Sequence, residues 1–292
     1  MRIMQKRTYT KLMLTIIITS LLITPILSAT AKKYDDSGEV PFYKVTKKVI
    51  RFEETIPLSE KVTGYPGLSY RVNVYGVDVG KGVILIDSGD DEQAEELYKS
   101  VTYAFNKPIL AVYLTHYHSD HAGGGKHFQD MGIPVYAPES EFDLIVIGAN
   151  LPGSPEEFTY PGYTPDYALE TSELYRRFYV IPEPGHTIGQ VSIEYRHGHR
   201  MYLFSADTIL PMLTDNLGPT DITFDVTYNS AYQTWAVAPT LTSIQIATLN
   251  GMLQTVPGYD YVLTGHAGVL DSSTAMGYIQ FTIGILESFP YI

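Results

Sequence analysis

Four side chains able to bind metal ions fall within six residues in the segment Thr115-His116-Tyr117-His118-Ser119-Asp120-His121. His116 and His118 are two apart, a spacing that sends both side chains to the same side of an extended chain, so both can face one ion. Asp120 and His121 then turn away and can reach a second. The segment follows directly on the apolar run 109–114. The carboxyl end of a buried strand is where open α/β sheets place their sites.

The surrounding pattern must supply that strand and its neighbours. Tyr70 to Val79 alternates bulky residues with small or polar ones, and Val83-Ile84-Leu85-Ile86 is a short apolar run closed by Asp87-Ser88-Gly89, so two strands are expected here. Ala94, Leu97, Val101 and Phe105 recur at helical spacing before the strand at 109–114. A strand, helix, strand rhythm implies a sheet with helices packed on it. Val45, Ile50 and Phe52 point to a peripheral strand or two. Further strands are expected at 133–136, 177–181, 191–195, 201–205 and 261–264, with helices at 139–147, 228–254 and 272–287. His197-Gly198-His199 reads as a turn between strands, and His127 as a packing or solvent-facing helix residue. Gly123-Gly124-Gly125 lacks the Lys-Ser/Thr of a phosphate loop and reads as close backbone packing beside the site. Trp235 is expected to pack in a core. The 148–171 stretch, with four prolines and Tyr160, Tyr163 and Tyr167, reads as a long surface loop that can act as a lid.

Composition narrows the chemistry. With 45% hydrophobic and 18% charged residues in 292, the chain has the balance of a folded globular protein rather than a disordered one. The absence of cysteine removes disulfides, thiolate nucleophiles, iron–sulfur clusters and thiolate metal sites together. A net charge of −12 gives no electrostatic source for gripping phosphate backbones, so no nucleic acid partner is expected. At the start, Arg2, Lys6, Arg7 and Lys11 precede the mostly apolar 12–27 stretch and the small residues Ala29-Thr30-Ala31. That is the pattern of a secretory signal peptide over 1–31, cleaved after Ala31, with one folded domain over 32–292. The apolar stretch falls short of the roughly 20 residues needed to span a bilayer, so no stable membrane insertion is expected after cleavage. A secreted or extracytoplasmic, strongly acidic protein is the expectation.

The 116–121 segment resembles the His-x-His-x-Asp-His motif of the metallo-β-lactamase superfamily. Further segments match that family in its order: Ile86-Asp87-Ser88-Gly89, Pro184-Gly185-His186-Thr187, Phe204-Ser205-Ala206-Asp207-Thr208 and Leu263-Thr264-Gly265-His266. The resemblance implies an α/β fold, a four-layer αβ/βα sandwich. It implies that His116, His118 and His186 hold one ion, that Asp120, His121 and His266 hold the other, and that Asp207 bridges them. Asp87 is then a supporting residue beside the ligands, and Asp120 also orients the nucleophile. The implied cofactors are two divalent metal ions, with zinc the first choice for nitrogen and oxygen donors and iron or manganese also compatible. Such a pair holds a bridging hydroxide near neutral pH.

The bridging aspartate is a departure from the zinc β-lactamases proper. It is typical of the thioesterase, lactonase, sulfatase and phosphodiesterase branches. The expected activity is an exported dinuclear hydrolase that attacks a carbonyl of a cyclic amide or ester in a small-molecule substrate. Hydrolysis of sulfate esters or small phosphodiesters is the alternative, and a non-enzymatic metal-binding protein on the same scaffold is the reading of another class.

Overall fold

The computed structural model describes residues 40–58, 69–151, 156–170, 174–209 and 239–288. The 1–31 segment and Trp235 lie outside the described residues.

In chain order the elements are β1 (Phe42–Lys44), β2 (Val49–Pro57), β3 (Ser69–Asp78), β4 (Val83–Ile86), α1 (Ala94–Phe105) and β5 (Ile109–Tyr113). Next come two short helices, α2 (Ser119–Ala122) and α3 (Gly125–Asp130), then β6 (Val135–Ala137), α4 (Phe142–Val146) and β7 (Tyr167–Ala168). The second half contains β8 (Phe178–Pro182), β9 (Val191–His197), β10 (Arg200–Ala206), α5 (Pro239–Thr255), β11 (Tyr261–Thr264), β12 (Val269–Leu270) and α6 (Ser272–Ser288).

Among the described residues these strands form two sheets, ordered β1-β2-β3-β4-β5-β6-β7 and β12-β11-β10-β9-β8. In the first, β1 to β4 pair antiparallel and β4 to β7 parallel. In the second, β8, β9 and β10 are antiparallel neighbours and β11 runs parallel to β10.

The apolar run of β4 shows how sequence makes the layers. All four of its residues are buried, as a strand covered on both faces requires. Leu85 joins Leu97 and Val101 of α1, Phe128 of α3 and Ile145 of α4 in a core on the outer face of the first sheet. Ile84 and Ile86, one step along the pleat, point the other way. They meet Tyr113, Phe178, Ile193, Tyr202 and Phe204 between the sheets. A third core joins Leu203 and Val262 to Leu249 and Met252 of α5 and Ala275 and Ile279 of α6. Helices, sheet, sheet, helices is the four-layer αβ/βα sandwich expected from the sequence. Among the described residues no helix is long and apolar enough to cross a membrane.

The lid reading of 148–171 needs correction. Tyr160 and Tyr163 are buried, and Tyr167 belongs to β7, paired with β6. The Tyr160 hydroxyl donates to the Tyr117 carbonyl at 2.8 Å and the Tyr163 hydroxyl to the Ala122 carbonyl at 2.6 Å. These tyrosines are struts beneath the histidine segment. Phenol rings bury large apolar area while the hydroxyl satisfies a backbone carbonyl, which makes them suited to fixing a loop from below.

Candidate metal centre

Each implied ligand sits where a strand has just ended. The chain leaves β5 at Tyr113 and reaches His116 three residues later, while α2 carries Asp120 and His121. His186 lies between β8 and β9, Asp207 follows β10 and His266 follows β11. Two residues at these exits, Asp87 after β4 and Ala206 at the end of β10, have φ of 65° and 43°. Left-handed backbone at a non-glycine residue costs about 1–2 kcal/mol, and here it turns the chain sharply at the edge where the site assembles.

The seven side chains converge in two groups. His116, His118, His186 and Asp207 offer donor atoms within 4.8 Å of one another, as do Asp120, His121 and His266. In the first group His116 Nε2 and His186 Nε2 lie 3.0 and 2.9 Å from His118 Nδ1. In the second, His266 Nε2 and His121 Nε2 lie 3.5 and 3.7 Å from Asp120 Oδ2. Asp207 faces both groups. Its Oδ2 is 3.4 Å from His186 Nε2 and 3.1 Å from His266 Nε2, and its Oδ1 is 3.2 Å from His121 Nε2. All seven residues are at most 8% exposed.

The outward nitrogens are held, which decides what the inward ones can do. His121 Nδ1 donates to Asp87 Oδ2 at 2.8 Å, and His266 Nδ1 donates to the Arg71 carbonyl at 2.6 Å. His116 Nδ1 is 3.0 Å from the Thr115 hydroxyl, which itself donates to Asp87 Oδ1 at 2.9 Å. A proton fixed on the outer nitrogen leaves the inner lone pair for a cation. Asp87 also accepts from the Thr115 backbone N–H at 2.8 Å. The aspartate is thereby tied both to His121 and to the strand end that launches His116.

These residues fit divalent cations. Tetrahedral bonds of about 2.0–2.1 Å place neighbouring donors about 3.3 Å apart, close to the separations here. His121 Nε2 and Asp207 Oδ1 are buried without a hydrogen bond of good geometry. Like donors facing each other in a dry site, with orphaned atoms among them, are costly unless a cation sits between.

Electrostatics divides the groups. Burial holds His116 and His118 well below the usual histidine range, and the neighbouring imidazoles add to this. His186 is likewise lowered, chiefly by burial. Burial also acts to lower His121, but Asp207, Asp120 and Asp87 outweigh it and raise that imidazole well above its usual range. Asp207 and Asp120 raise His266 against the same opposing burial. For Asp207, burial opposes ionisation, yet His266 and His121 hold its carboxyl well below the usual carboxylate range.

Glycines allow the backbone to pass close to these groups. A Cβ on Gly265 would stand 2.1 Å from Asp207 Oδ1, and one on Gly124 would stand 2.3 Å from the Ser88 carbonyl. The three consecutive glycines are therefore packing devices, as the sequence implied. His127 lies 3.4 Å from Glu95 and His197 is 3.0 Å from Arg177, both away from the cluster. Sequence reading passed over Glu141, a buried carboxylate that touches both histidine loops, because nothing in its own segment sets it apart from Glu139.

Comparison with known proteins identifies the family. The profile of the metallo-beta-lactamase superfamily matches residues 69–242. A Caenorhabditis elegans protein described as a beta-lactamase-like protein 2 homolog is 30% identical over 145 residues, covering 47% of this chain and 44% of that protein. A hydroxyacylglutathione hydrolase from Bdellovibrio bacteriovorus is 26% identical over 165 residues, or 53% of each chain. The chain thus spans about half the length of these curated relatives. Among solved structures, a metallo-beta-lactamase from Pontibacter korlensis superposes with a TM-score of 0.63 at 20% identity, covering 85% of this chain and 99% of that one. At that identity the likeness speaks for the fold. The family profile spans more than half of the chain, and on that ground the protein belongs to the metallo-beta-lactamase superfamily.

Proposed function

We propose that this protein is a metal-dependent hydrolase that opens a carbonyl-centred bond, a cyclic amide or ester, in a small molecule. The observation that carries the reading is Asp207, whose two oxygens face both donor groups at 3.1–3.4 Å. In this reading His116, His118 and His186 hold one cation, Asp120, His121 and His266 the other, and Asp207 is shared. Zinc is the proposed ion, since the donors are imidazole nitrogens and carboxylate oxygens, with iron or manganese as substitutes. When bound, such a pair lowers the pKa of water and polarises a carbonyl oxygen.

The chain's own groups supply the rest. Asp120 orients the attacking water through a carboxylate oxygen and holds its proton until the leaving group takes it. Asp87, Thr115 and the Arg71 carbonyl keep three imidazoles in the tautomer that presents Nε2 to the centre. Burial of the whole set excludes bulk water and strengthens every charge interaction within it. Export is part of the proposal and rests on the basic and apolar pattern of residues 1–31.

A panel of chromogenic lactam, lactone, aryl ester, sulfate ester and phosphodiester substrates tests it. Turnover of a lactam or lactone that vanishes with chelator and returns with zinc is expected. Asp120→Ala and His118→Ala should abolish that turnover in proteins that remain folded. Full turnover in either variant, or hydrolysis confined to sulfate esters or phosphodiesters, refutes it.

A further inference from the structure

Glu141 is fully buried at the end of the 3-10 turn Glu139–Glu141, immediately before α4. Its Oε2 accepts the backbone N–H of Tyr117 at 3.0 Å. Its Oε1 accepts the Thr187 hydroxyl at 3.0 Å and the Gly189 N–H at 2.6 Å. Tyr117 lies between His116 and His118, and Thr187 follows His186. One carboxylate therefore links the loop carrying two of the first group's imidazoles to the loop carrying the third. Gly189 is shaped for the contact, since a Cβ there would stand 2.6 Å from Glu141 Oε1 and 2.1 Å from Ser140 Oγ.

We propose that Glu141 is a positioning residue for the His116, His118 and His186 group, fixing the distance between its two loops. It plays there the part that Asp87 plays for His121. This rests on the reading of the seven residues as metal ligands. The two carboxylates differ in reach: Asp87 contacts an imidazole of the second group directly, at His121 Nδ1, and meets the first only through Thr115, whereas Glu141 touches backbone and hydroxyl on either side of the first. Hydrogen bonds that collect several donors on one buried carboxylate fix loops firmly, because breaking any of them leaves a polar group without water.

An isosteric Glu141→Gln keeps one oxygen for Thr187 and Gly189 and turns an amide N–H against the Tyr117 N–H. Gly189→Ala pushes the same carboxylate away from the other side. Zinc competition against a chromophoric chelator, on the full chain, resolves the two binding constants. Both variants should weaken one zinc by about 10–100-fold and leave the other unchanged, the size usual for groups that orient ligands. Asp87→Asn should weaken the other zinc, so the Asp87→Asn/Glu141→Gln double variant weakens both. Circular dichroism of the zinc-free proteins checks folding, and if Glu141→Gln does not fold, Gly189→Ala decides alone.

Wild-type constants in the folded variants, equal weakening of both zincs, or Asp87→Asn and Glu141→Gln acting on the same zinc would each overturn the assignment. Two zincs in the wild type together with an indifferent variant sinks only the role of Glu141. A wild type that binds no zinc sinks the metal reading, and this role falls with it.

Discussion

Replacing Asp87 by Asn changes one atom in the support of the site and isolates what the carboxylate does. Asparagine is among the residues that tolerate the left-handed φ of 65° found here, so the backbone is undisturbed. With its oxygen kept on the Thr115 N–H and hydroxyl, the amide nitrogen must face His121 Nδ1, now 2.8 Å from a carboxylate oxygen. Two donors cannot share that contact, so the imidazole proton moves to Nε2 and points at Asp120 and Asp207, where the lone pair is needed. Restoring the productive tautomer forfeits one charge-assisted hydrogen bond, about 1.5–3 kcal/mol. That corresponds to roughly a 10- to 150-fold loss of affinity for the cation held by Asp120, His121 and His266. The His116 group keeps the Thr115 to Asp87 link and should hold its cation as before. Chelator competition measures both constants, and nitrogen-15 shifts of the His121 ring, recorded at a pH high enough for the imidazole to be neutral, report the tautomer in the zinc-free protein. An unchanged second constant with the proton still on Nδ1 would refute the account.

Two further outcomes follow from the charge environment. His121 and His266 are raised while His116, His118 and His186 are lowered, so protons compete with a cation for the second group up to a higher pH than for the first. Zinc titrations at mildly acidic pH in two buffers of different ionisation heat should show steep pH dependence and proton release for one zinc only; equal release by both would contradict it. Three residues before His186, burial pushes the Glu183 carboxyl up to about 7, against hydroxyl bonds from Ser192 and Thr208 that favour ionisation. A raised carboxyl destabilises the fold as pH climbs from its unfolded value near 4.5 through 7, by about 3 kcal/mol for a shift of this size. Glu183→Gln should therefore gain stability relative to wild type between pH 5 and pH 8 by roughly that amount in urea denaturation, and parallel pH curves would show that the burial cost is not borne there.

Much of this was legible in the residues themselves. The β4 and β5 runs are short, apolar and bounded by turn residues, so their assignment follows from local pattern alone. His116, His118, Asp120 and His121 sit close enough in sequence that local geometry nearly forces them together. His186, Asp207 and His266 do not, and only the family order of segments joined them to the cluster. What stayed hidden were side chains whose purpose depends on partners far along the chain. Tyr160 and Tyr163 contact residues 43 and 41 positions away, and Glu141 contacts residues 24 and 46 away, in opposite directions. Tyrosines among prolines look like a surface loop until the carbonyls they meet are known. Residues 210–238, which held part of a helix expected from the sequence, lie outside the described residues.

A mismatch in strand length explains why the two halves of the site meet. β3 runs for ten residues, but β4 has only four and ends at Ile86, opposite Tyr75. The edge of β3 beyond Tyr75 is therefore left without its neighbour, and unpaired backbone groups at a buried edge must find partners. The loop after β11 in the second sheet provides them. The Asn73 N–H donates to the Gly265 carbonyl at 2.7 Å, the Asn73 side chain to the Thr264 carbonyl at 3.1 Å, and His266 Nδ1 to the Arg71 carbonyl. The same early stop at Ile86 puts Asp87 where it can reach Thr115 and His121. A short apolar run closed by Asp-Ser-Gly thus determines both the edge that receives His266 and the carboxylate that fixes His121. Extending β4 by two residues would fill the edge, displace the 264–266 loop and separate Asp87 from its imidazole, so strand length here is a condition of the metal centre itself.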